Sequence, residues 1–192
     1  MAAGPAIPGL LCVFAATVLL IFVSVSAPTW EKISFLNVGT GSAQVHYGVF
    51  GFTGSQTHIG YDLNPSVLGF DSTKLNTEVI HNLTKTLILY PIAAGLSGLG
   101  MLFGLCGAAY HRSGTVLMLL ATALALIVTL VVWVLEMVLF GIARDRFRDQ
   151  GVPAQFGNAN WLGLGALVAL ALGVLASCCG VFGRYRRPRD AY

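Results

Sequence analysis

The stretch TVLMLLATALALIVTLVVWVLEMVLFGIA, residues 115–143, decides the fold class of this chain. An α-helix needs about 20 mostly apolar residues to cross the roughly 30 Å hydrocarbon core of a membrane, and this stretch is longer than that. Its only ionisable residue is Glu136. A central acid costs about 3 kcal/mol on insertion scales, whereas each Leu, Ile, Val or Phe contributes about −0.3 to −0.6 kcal/mol. The stretch is therefore predicted to insert as a transmembrane helix despite Glu136.

Three further apolar segments have spanning length, at residues 7–27, 86–110 and 161–183. Because backbone amides in lipid must be paired internally, all four segments are predicted to be helices of one transmembrane bundle. The first segment has an alternative interpretation as a cleaved signal peptide, since the small residues SVSA (24–27) end it. However, Pro28 would follow the cut and no basic residue precedes the apolar run, so a retained helix is favoured.

The composition agrees with a membrane protein that forms a single four-span domain over residues 1–192. The 192 residues are 56 % hydrophobic and only 10 % charged, with a mean hydropathy of +0.77. Soluble domains carry about 25 % charged residues. The sequence has no phosphate-binding loop, nucleophile elbow or zinc-protease helix, which argues against an enzyme, and it indicates no cofactor or metal. Most of the net charge of +3 lies in the C-terminal tail, so nucleic-acid binding has no support.

Basic residues predict which side of the membrane the ends occupy. The tail RYRRPRDAY (184–192) contains Arg184, Arg186, Arg187 and Arg189. Arg112, in the short turn between the second and third spans, lies on the same side. By the positive-inside rule this side is cytoplasmic, which makes both termini cytoplasmic. The opposing signal comes from Arg144, Arg146 and Arg148 in the loop on the other side. The tail arginines should also attract anionic lipid, at about 1 kcal/mol per charge near the surface.

The long loop 28–85 between the first two spans is predicted to fold outside the cell. KISFLNV (32–38), QVHYGVFGF (44–52) and THIGYDL (57–63) are rich in β-branched and aromatic residues and are separated by glycine-containing turns. They predict a small antiparallel sheet. From residue 72 the pattern changes, because Leu75, Val79 and Leu83 recur every four residues, as on one face of a helix that runs into the second span.

Four features of the chain resemble the fungal PalI family within the claudin-like four-span superfamily. They are Trp30 after the first span, HYGVFGF (46–52), THIGYD (57–62) and NLTKTLILYPIAAG (82–95) at the start of the second span. The motif positions in the outer loop are Trp30, Tyr47, Gly48, Phe50, Gly51, His58, Gly60 and Tyr61. Relatives often carry a paired cysteine shortly after this motif. Here Thr53 stands at that position and the loop contains no cysteine, so this loop cannot form a disulfide.

The resemblance implies a non-catalytic role at the fungal plasma membrane. Its PalI branch implies an accessory or scaffold protein that assists a multi-span sensor in ambient-pH signalling. A sister branch implies a protein that organises an eisosome-like membrane compartment beneath the cell wall. A channel subunit is a third hypothesis, for which Glu136 is the sole hint. The expected partners are membrane lipids and either the multi-span sensor or further copies of this chain.

Small residues at four-residue spacing indicate where helices approach each other. Gly100 and Gly104 form a GxxxG pair in the second span, and Gly165, Ala169 and Gly173 form a stripe in the fourth. Such stripes allow close backbone contact in lipid, either within the bundle or with a partner helix. Glu136 is interpreted first as a protonated or hydrogen-bonded group bound to a neighbouring helix. The alternatives are a contact with a partner or a proton-linked switch.

Candidate modification sites lie near both membrane surfaces. Cys178 and Cys179 lie just before the basic tail and are either palmitoylation sites or small apolar helix residues. Asn82 begins the sequon Asn-Leu-Thr, although its closeness to the membrane hinders glycan transfer. The loop also contains His46, His58 and His81, a residue type that proteins use for proton sensing, but ordinary surface roles are favoured.

Overall fold

The computed structural model describes residues 7–41, 44–57, 59–61, 78–109 and 112–182. Its elements, in chain order, are α1 (Ile7–Ser24), β1 (Leu36–Val38), β2 (Val45–Tyr47), α2 (Glu78–Thr86), α3 (Leu89–Ala109), α4 (Arg112–Asp149), β3 (Ala154–Phe156) and α5 (Ala159–Phe182). The four long helices α1, α3, α4 and α5 form a bundle. The three strands, their connecting loops and α2 form a small layer at one end of it, called the cap below.

The four long helices form a closed ring in which each packs against two neighbours. Helix α3 contacts α4 and α1, and α5 contacts α4 and α1. By length and composition, three described segments can cross a membrane: His81–Gly107, Gly114–Asp149 and Ala159–Cys178. The corresponding part of α1, Pro8–Ser24, is apolar but shorter. The apolar helical bundle with a small antiparallel sheet confirms the predicted claudin-like fold class.

The buried face of α4 follows a seven-residue repeat. Its buried positions are Met118, Thr122, Ala125, Thr129, Val132, Glu136, Leu139 and Ala143. These alternate in steps of four and three, the pattern of helices that pack with a shallow left-handed crossing. The residues between them, such as Leu120, Leu124 and Ile127, are exposed at the outer surface of the bundle. In a membrane this surface faces lipid.

The cap end of α4 belongs to the core of the cap, which explains why the apolar run 115–143 exceeds the length of a span. Phe140 stacks on Phe35 from the loop before β1, with ring centroids 5.3 Å apart. Phe35 also lies 5.7 Å from the ring of Tyr90 at the start of α3. Leu139 and Phe147 are buried in the same core. The last turns of the run are therefore apolar because they pack beneath the sheet.

The sheet differs from the predicted one in the origin of its third strand. The strand order is β2-β1-β3, and both pairings are antiparallel. The predicted strand 57–63 is wrong, because residue 57 and residues 59–61 lie in no strand, and residues 58, 62 and 63 lie outside the described residues. Instead, residues 154–156 of the loop before α5 pair with β1, with Asn37 opposite Gln155. The loop before α5, which is distant from β1 in the sequence, thus completes the sheet and links the two loops at the cap end of the bundle.

Two predicted elements are shorter than expected because glycine and proline interrupt them. The segment 44–52 forms a strand only over Val45–Tyr47, and the chain then turns sharply between Gly48 and Gly51. The predicted helix entering the second span breaks at residues 87–88, between α2 and α3. Pro91 explains this break, because proline is tolerated in the first turn of a helix but disrupts a helix interior.

Candidate functional site

The motif aromatics other than Trp30 belong to one cluster in the core of the cap. The ring centroid of Tyr47 lies 5.8 Å from Phe52, 6.3 Å from Tyr61 and 6.2 Å from Phe147 of α4. Phe50 packs at the edge of this core and is partly buried. Aromatic pairs at these separations add about 0.5–1.5 kcal/mol beyond the area they bury. The cluster therefore joins the sheet, the loop and α4, which is a role in structure rather than in chemistry.

Gly48 allows the motif turn to lie directly on the exit of α1. A Cβ atom at this position would lie 2.0 Å from the carbonyl oxygen of Ala27, so no larger residue fits. Next to it, the Val49 amide donates to Ser26 Oγ at 3.0 Å. The Gly48 amide donates to the Gly51 carbonyl at 2.8 Å and closes the turn. The glycine at this motif position thus fixes how the cap sits on the bundle.

Tyr61 carries the connection from the motif turn to α2. Its hydroxyl donates to the Gly48 carbonyl at 2.6 Å, and the Thr84 hydroxyl of α2 donates to the Tyr61 carbonyl at 3.0 Å. Gly60 has a φ of +75° and lies against the side chain of Lys85. Burial raises the pKa of both Tyr61 and Tyr47, so both phenols stay neutral at ordinary pH. His58, the remaining motif residue of this segment, lies outside the described residues.

Two exposed indoles mark the cap end of the bundle. Trp30 is 44 % exposed, and its ring lies 5.8 Å from that of Phe22 in α1. Trp161, in the first turn of α5, is 71 % exposed. Tryptophan is enriched where a membrane meets water, because its ring is apolar and its N–H is polar. The two residues therefore indicate the level at which the bundle leaves the hydrocarbon.

The small residues predicted to mediate helix packing all contact neighbouring helices of this bundle. A Cβ atom at Gly100 would lie 3.0 Å from Thr122 Oγ1 of α4, and one at Gly104 would lie 2.7 Å from Met118 Sδ. A Cβ atom at Gly173 would lie 3.0 Å from Val13 of α1, and one at Gly165 would lie 3.6 Å from Leu19 of α1.

Ala169, between these two glycines on α5, packs against the same core. These residues are therefore used inside the ring, so a partner helix would have to bind elsewhere on its outer surface.

Glu136 is held inside the bundle by a neighbouring helix. Its side chain is 1 % exposed, and the hydroxyl of Tyr90 from α3 donates a hydrogen bond to its Oε2 atom. Gly163 of α5 lies beside this pair, because a Cβ atom there would be 2.9 Å from the Tyr90 hydroxyl. Three helices thus meet around one carboxyl group, close below the level of Trp161.

Three buried threonine hydroxyls of the bundle form hydrogen bonds within their own helices. The hydroxyls of Thr17, Thr122 and Thr129 each donate to the carbonyl four residues earlier in their own helix, at 2.7–2.8 Å. These groups therefore offer no continuous polar path along the bundle axis. Among the described residues, no group of three or more His, Cys, Asp or Glu could hold a metal ion.

The predicted modification sites are only partly described. Asn82 is exposed on α2, whereas Thr84 of the same sequon is buried. Cys178 is a half-buried free cysteine near the end of α5. The side chain of Cys179 and all of Arg184, Arg186, Arg187 and Arg189 lie outside the described residues.

A second anchor of the cap, GNAN (157–160) before α5, was missed by the sequence analysis. Asn158 accepts a hydrogen bond from the Ser34 amide at 3.2 Å and donates to the Lys32 carbonyl at 2.8 Å. Asn160 donates to the Phe35 carbonyl at 3.2 Å. A Cβ atom at Gly157 would lie 1.9 Å from the Ser34 carbonyl oxygen. The sequence signal that could have identified this anchor is one glycine and two asparagines directly before a span.

A comparison with curated proteins finds no match. A family model, that of the SUR7/PalI family, matches residues 5–178. The match includes α1, α3, α4 and most of α5, and it includes every motif residue of the cap. The chain is therefore a membrane protein that belongs to the SUR7/PalI family.

Proposed function

We propose that this protein is a non-catalytic accessory or scaffold protein of the plasma membrane, which assists a multi-span sensor in ambient-pH signalling. In this proposal the cap faces the exterior and both termini are cytoplasmic. The partner binds the outer surface of the bundle, the cap, or both. Family membership supports a role of this kind, and the described residues gather no set of groups that suggests catalysis.

The observation that carries the proposal is that the inner faces of the helices contact one another, whereas their outer faces are exposed. The small residues are occupied by contacts inside the ring, and one oxygen of the buried carboxyl accepts a hydrogen bond there. The outer surface, by contrast, presents one broad apolar band. Each long helix contributes a strongly exposed leucine to this band: Leu11 of α1, Leu102 of α3, Leu120 of α4 and Leu175 of α5, each between 56 % and 63 % exposed. Such a surface suits lipids and the transmembrane helices of a partner.

Site-specific photo-crosslinking tests the proposal. A photoreactive amino acid is placed singly at the four leucines and at Ile59, which is 60 % exposed on the cap. Each variant is irradiated in native membranes, and adducts are identified by mass spectrometry. We expect a multi-span membrane protein as an adduct at one or two neighbouring helices, with lipid adducts at the others. The helices that show no protein adduct are the matched controls.

Two other results would overturn this function. Adducts only with further copies of this chain and with lipids would favour the eisosome-like compartment, the alternative that the family resemblance implies. Ion flux through liposomes that contain the purified protein, abolished by Glu136→Gln, would favour a channel subunit. The buried hydroxyls that bond to their own helices argue against that third function.

A further inference from the structure

The polar cluster around Glu136 contains two buried atoms that form no hydrogen bond with any described residue. Tyr90 occupies Oε2 of Glu136, whereas Oε1 accepts no hydrogen bond from the described part of the chain. The indole Nε1 of Trp133, one turn earlier on α4, is likewise buried, and no described residue accepts its hydrogen. Buried polar groups are normally hydrogen bonded to protein or to ordered water, so these two atoms call for a bonding partner.

Trp133 and Glu136 lie on the same side of α4, because residues three apart on a helix have Cβ atoms about 5–6 Å apart. The neighbouring helix α5 packs against this side of α4. A Cβ atom at Gly163 would lie 3.4 Å from Cδ1 of Trp133, the atom bonded to Nε1, and 2.9 Å from the Tyr90 hydroxyl. The close approach of α5 keeps lipid chains and bulk solvent away from the cluster.

The chemistry of the two atoms selects the ligand. An indole N–H is a donor only, while a carboxyl oxygen accepts a hydrogen bond and, when it carries the proton, donates one. The indole donor opposes an alkali cation. A single water molecule can accept from the indole and can donate to the Glu136 carboxyl or accept from it, and its two hydrogen bonds of about 2.8 Å span roughly the separation of adjacent turns.

We propose that one buried water molecule bridges Trp133 Nε1 and Glu136 Oε1 at the junction of α3, α4 and α5. Buried waters of this kind typically join groups that would otherwise be unpaired. With this water in place, both oxygens of Glu136 are satisfied inside the chain. The carboxyl then acts as an internal polar tie and needs no contact from a partner or a permeating ion. The proposal does not depend on the function proposed above.

Nuclear magnetic resonance of the ¹⁵N-labelled protein in lipid nanodiscs tests this site. The chain has three tryptophans, so three indole N–H signals are expected, and Trp30→Phe and Trp161→Phe assign them. We expect the Trp133 signal to show a cross-peak to a long-lived water. Its hydrogen–deuterium exchange should be at least tenfold slower than that of Trp161, which is 71 % exposed. Slow exchange without a water cross-peak would mean a dry site and would overturn the proposal.

Variants at Glu136 separate a bridging water from a water that merely touches the indole. Glu136→Gln retains an acceptor oxygen and should keep the cross-peak, whereas Glu136→Leu should lose it. Unchanged Trp30 and Trp161 signals report that each variant is folded. If the cross-peak persists in Glu136→Leu, the carboxyl does not hold the water. If replacing N-methylglucamine by sodium in the buffer shifts the Trp133 signal, the site holds a cation and the proposal fails.

Discussion

At the scale of single residues, the positions that matter most are those where the cap touches the bundle. Gly48 meets the backbone of Ala27, and Tyr90 joins the carboxyl of Glu136 while its ring lies beside Phe35 of the cap. Gly48 cannot be replaced by a larger residue without a loss of stability, and the same holds for replacing Tyr90 or Glu136 by a nonpolar residue. The contact of Gly48 with Ala27 indicates that glycine stands at this motif position for a structural reason.

Replacing Gly48 by alanine should destabilise the protein strongly. The added Cβ atom would overlap a backbone carbonyl, which cannot move aside as a flexible side chain can. We expect a loss above about 3 kcal/mol, beyond the usual range of overpacking, and a fall of more than about 6 °C in Tm. Tryptophan fluorescence during heating in mild detergent measures it.

Gly54→Ala is the matched control in the same loop. Gly54 has a φ of +85°, but nothing lies within 4 Å of its added Cβ atom. This change should cost only about 1–2 kcal/mol of backbone strain. Equal losses for the two variants would show that the close contact with Ala27 is not what Gly48 provides.

The hydrogen bond between Tyr90 and Glu136 should give a measurable coupling energy. Tyr90→Phe leaves the carboxyl with a missing donor, and Glu136→Leu leaves the phenol with a missing acceptor, so each should cost about 1–3 kcal/mol. The double variant should lose less than the sum, because removing both partners leaves no unpaired group. Unfolding of the four proteins in one detergent completes the cycle. Strictly additive losses would contradict this hydrogen bond.

The buried phenols of the cap predict sensitivity to alkaline conditions. Because burial raises the folded pKa of Tyr47 and Tyr61 above the unfolded value of about 10, the contribution of these two phenols to stability should be constant below about pH 10. Above it, stability should fall by about 1.4 kcal/mol per pH unit for each phenol.

The comparison of Tyr47→Phe with the unaltered protein isolates one group, since lysines also titrate in this range. The slope of Tm against pH between 10 and 11 should be shallower in the variant. Identical slopes would mean that the Tyr47 phenol is accessible to solvent in the folded protein.

At the scale of elements, the close packing of α3 against α4 depends on glycine at their shared end. A Cβ atom at Gly107 would lie 2.8 Å from the backbone nitrogen of Thr115. We therefore expect Gly107→Val to separate the two helices and to lower the yield of folded protein in size-exclusion chromatography. Gly95→Val is the control on the same helix, because nothing lies within 4 Å of that position. Similar losses for both would point to a general intolerance of valine in α3.

The elements also show how far the sequence alone could lead. The long apolar runs specified the bundle helices well, because hydrophobic length is a strong local signal. The third strand was misplaced because a strand of three residues, 154–156, carries almost no periodic pattern. Its pairing with β1 depends on contacts with residues more than a hundred positions away, which no local pattern encodes.

The residues of the candidate site were also predicted only in part. Sequence pattern selected Glu136, the small-residue stripes and the motif aromatics, since each is unusual in its own segment. It could not identify Tyr90 as the partner of Glu136, nor Asn158 and Asn160 as anchors of the cap. A tyrosine at the start of a span and asparagines in a loop are common, and their importance arises from what the fold brings next to them.

At the scale of the whole molecule, the closed ring and the cap constitute one unit. Strands from two different loops form one sheet, and the aromatic core of the cap continues into α4 and α3. A chain built in this way presents a fixed outer surface to lipids and partners. The proposed function requires that the bundle crosses the membrane four times with the cap outside the cell.

Labelling of single cysteines on intact cells tests that requirement most directly. All native cysteines are first replaced, and Ile59→Cys on the cap is compared with cysteines added at the two termini, using a membrane-impermeant maleimide. We expect Ile59→Cys to react on intact cells and both termini to react only after permeabilisation. A cap that reacts only after permeabilisation would contradict the proposed orientation, and termini that react on opposite sides would contradict the four-span arrangement.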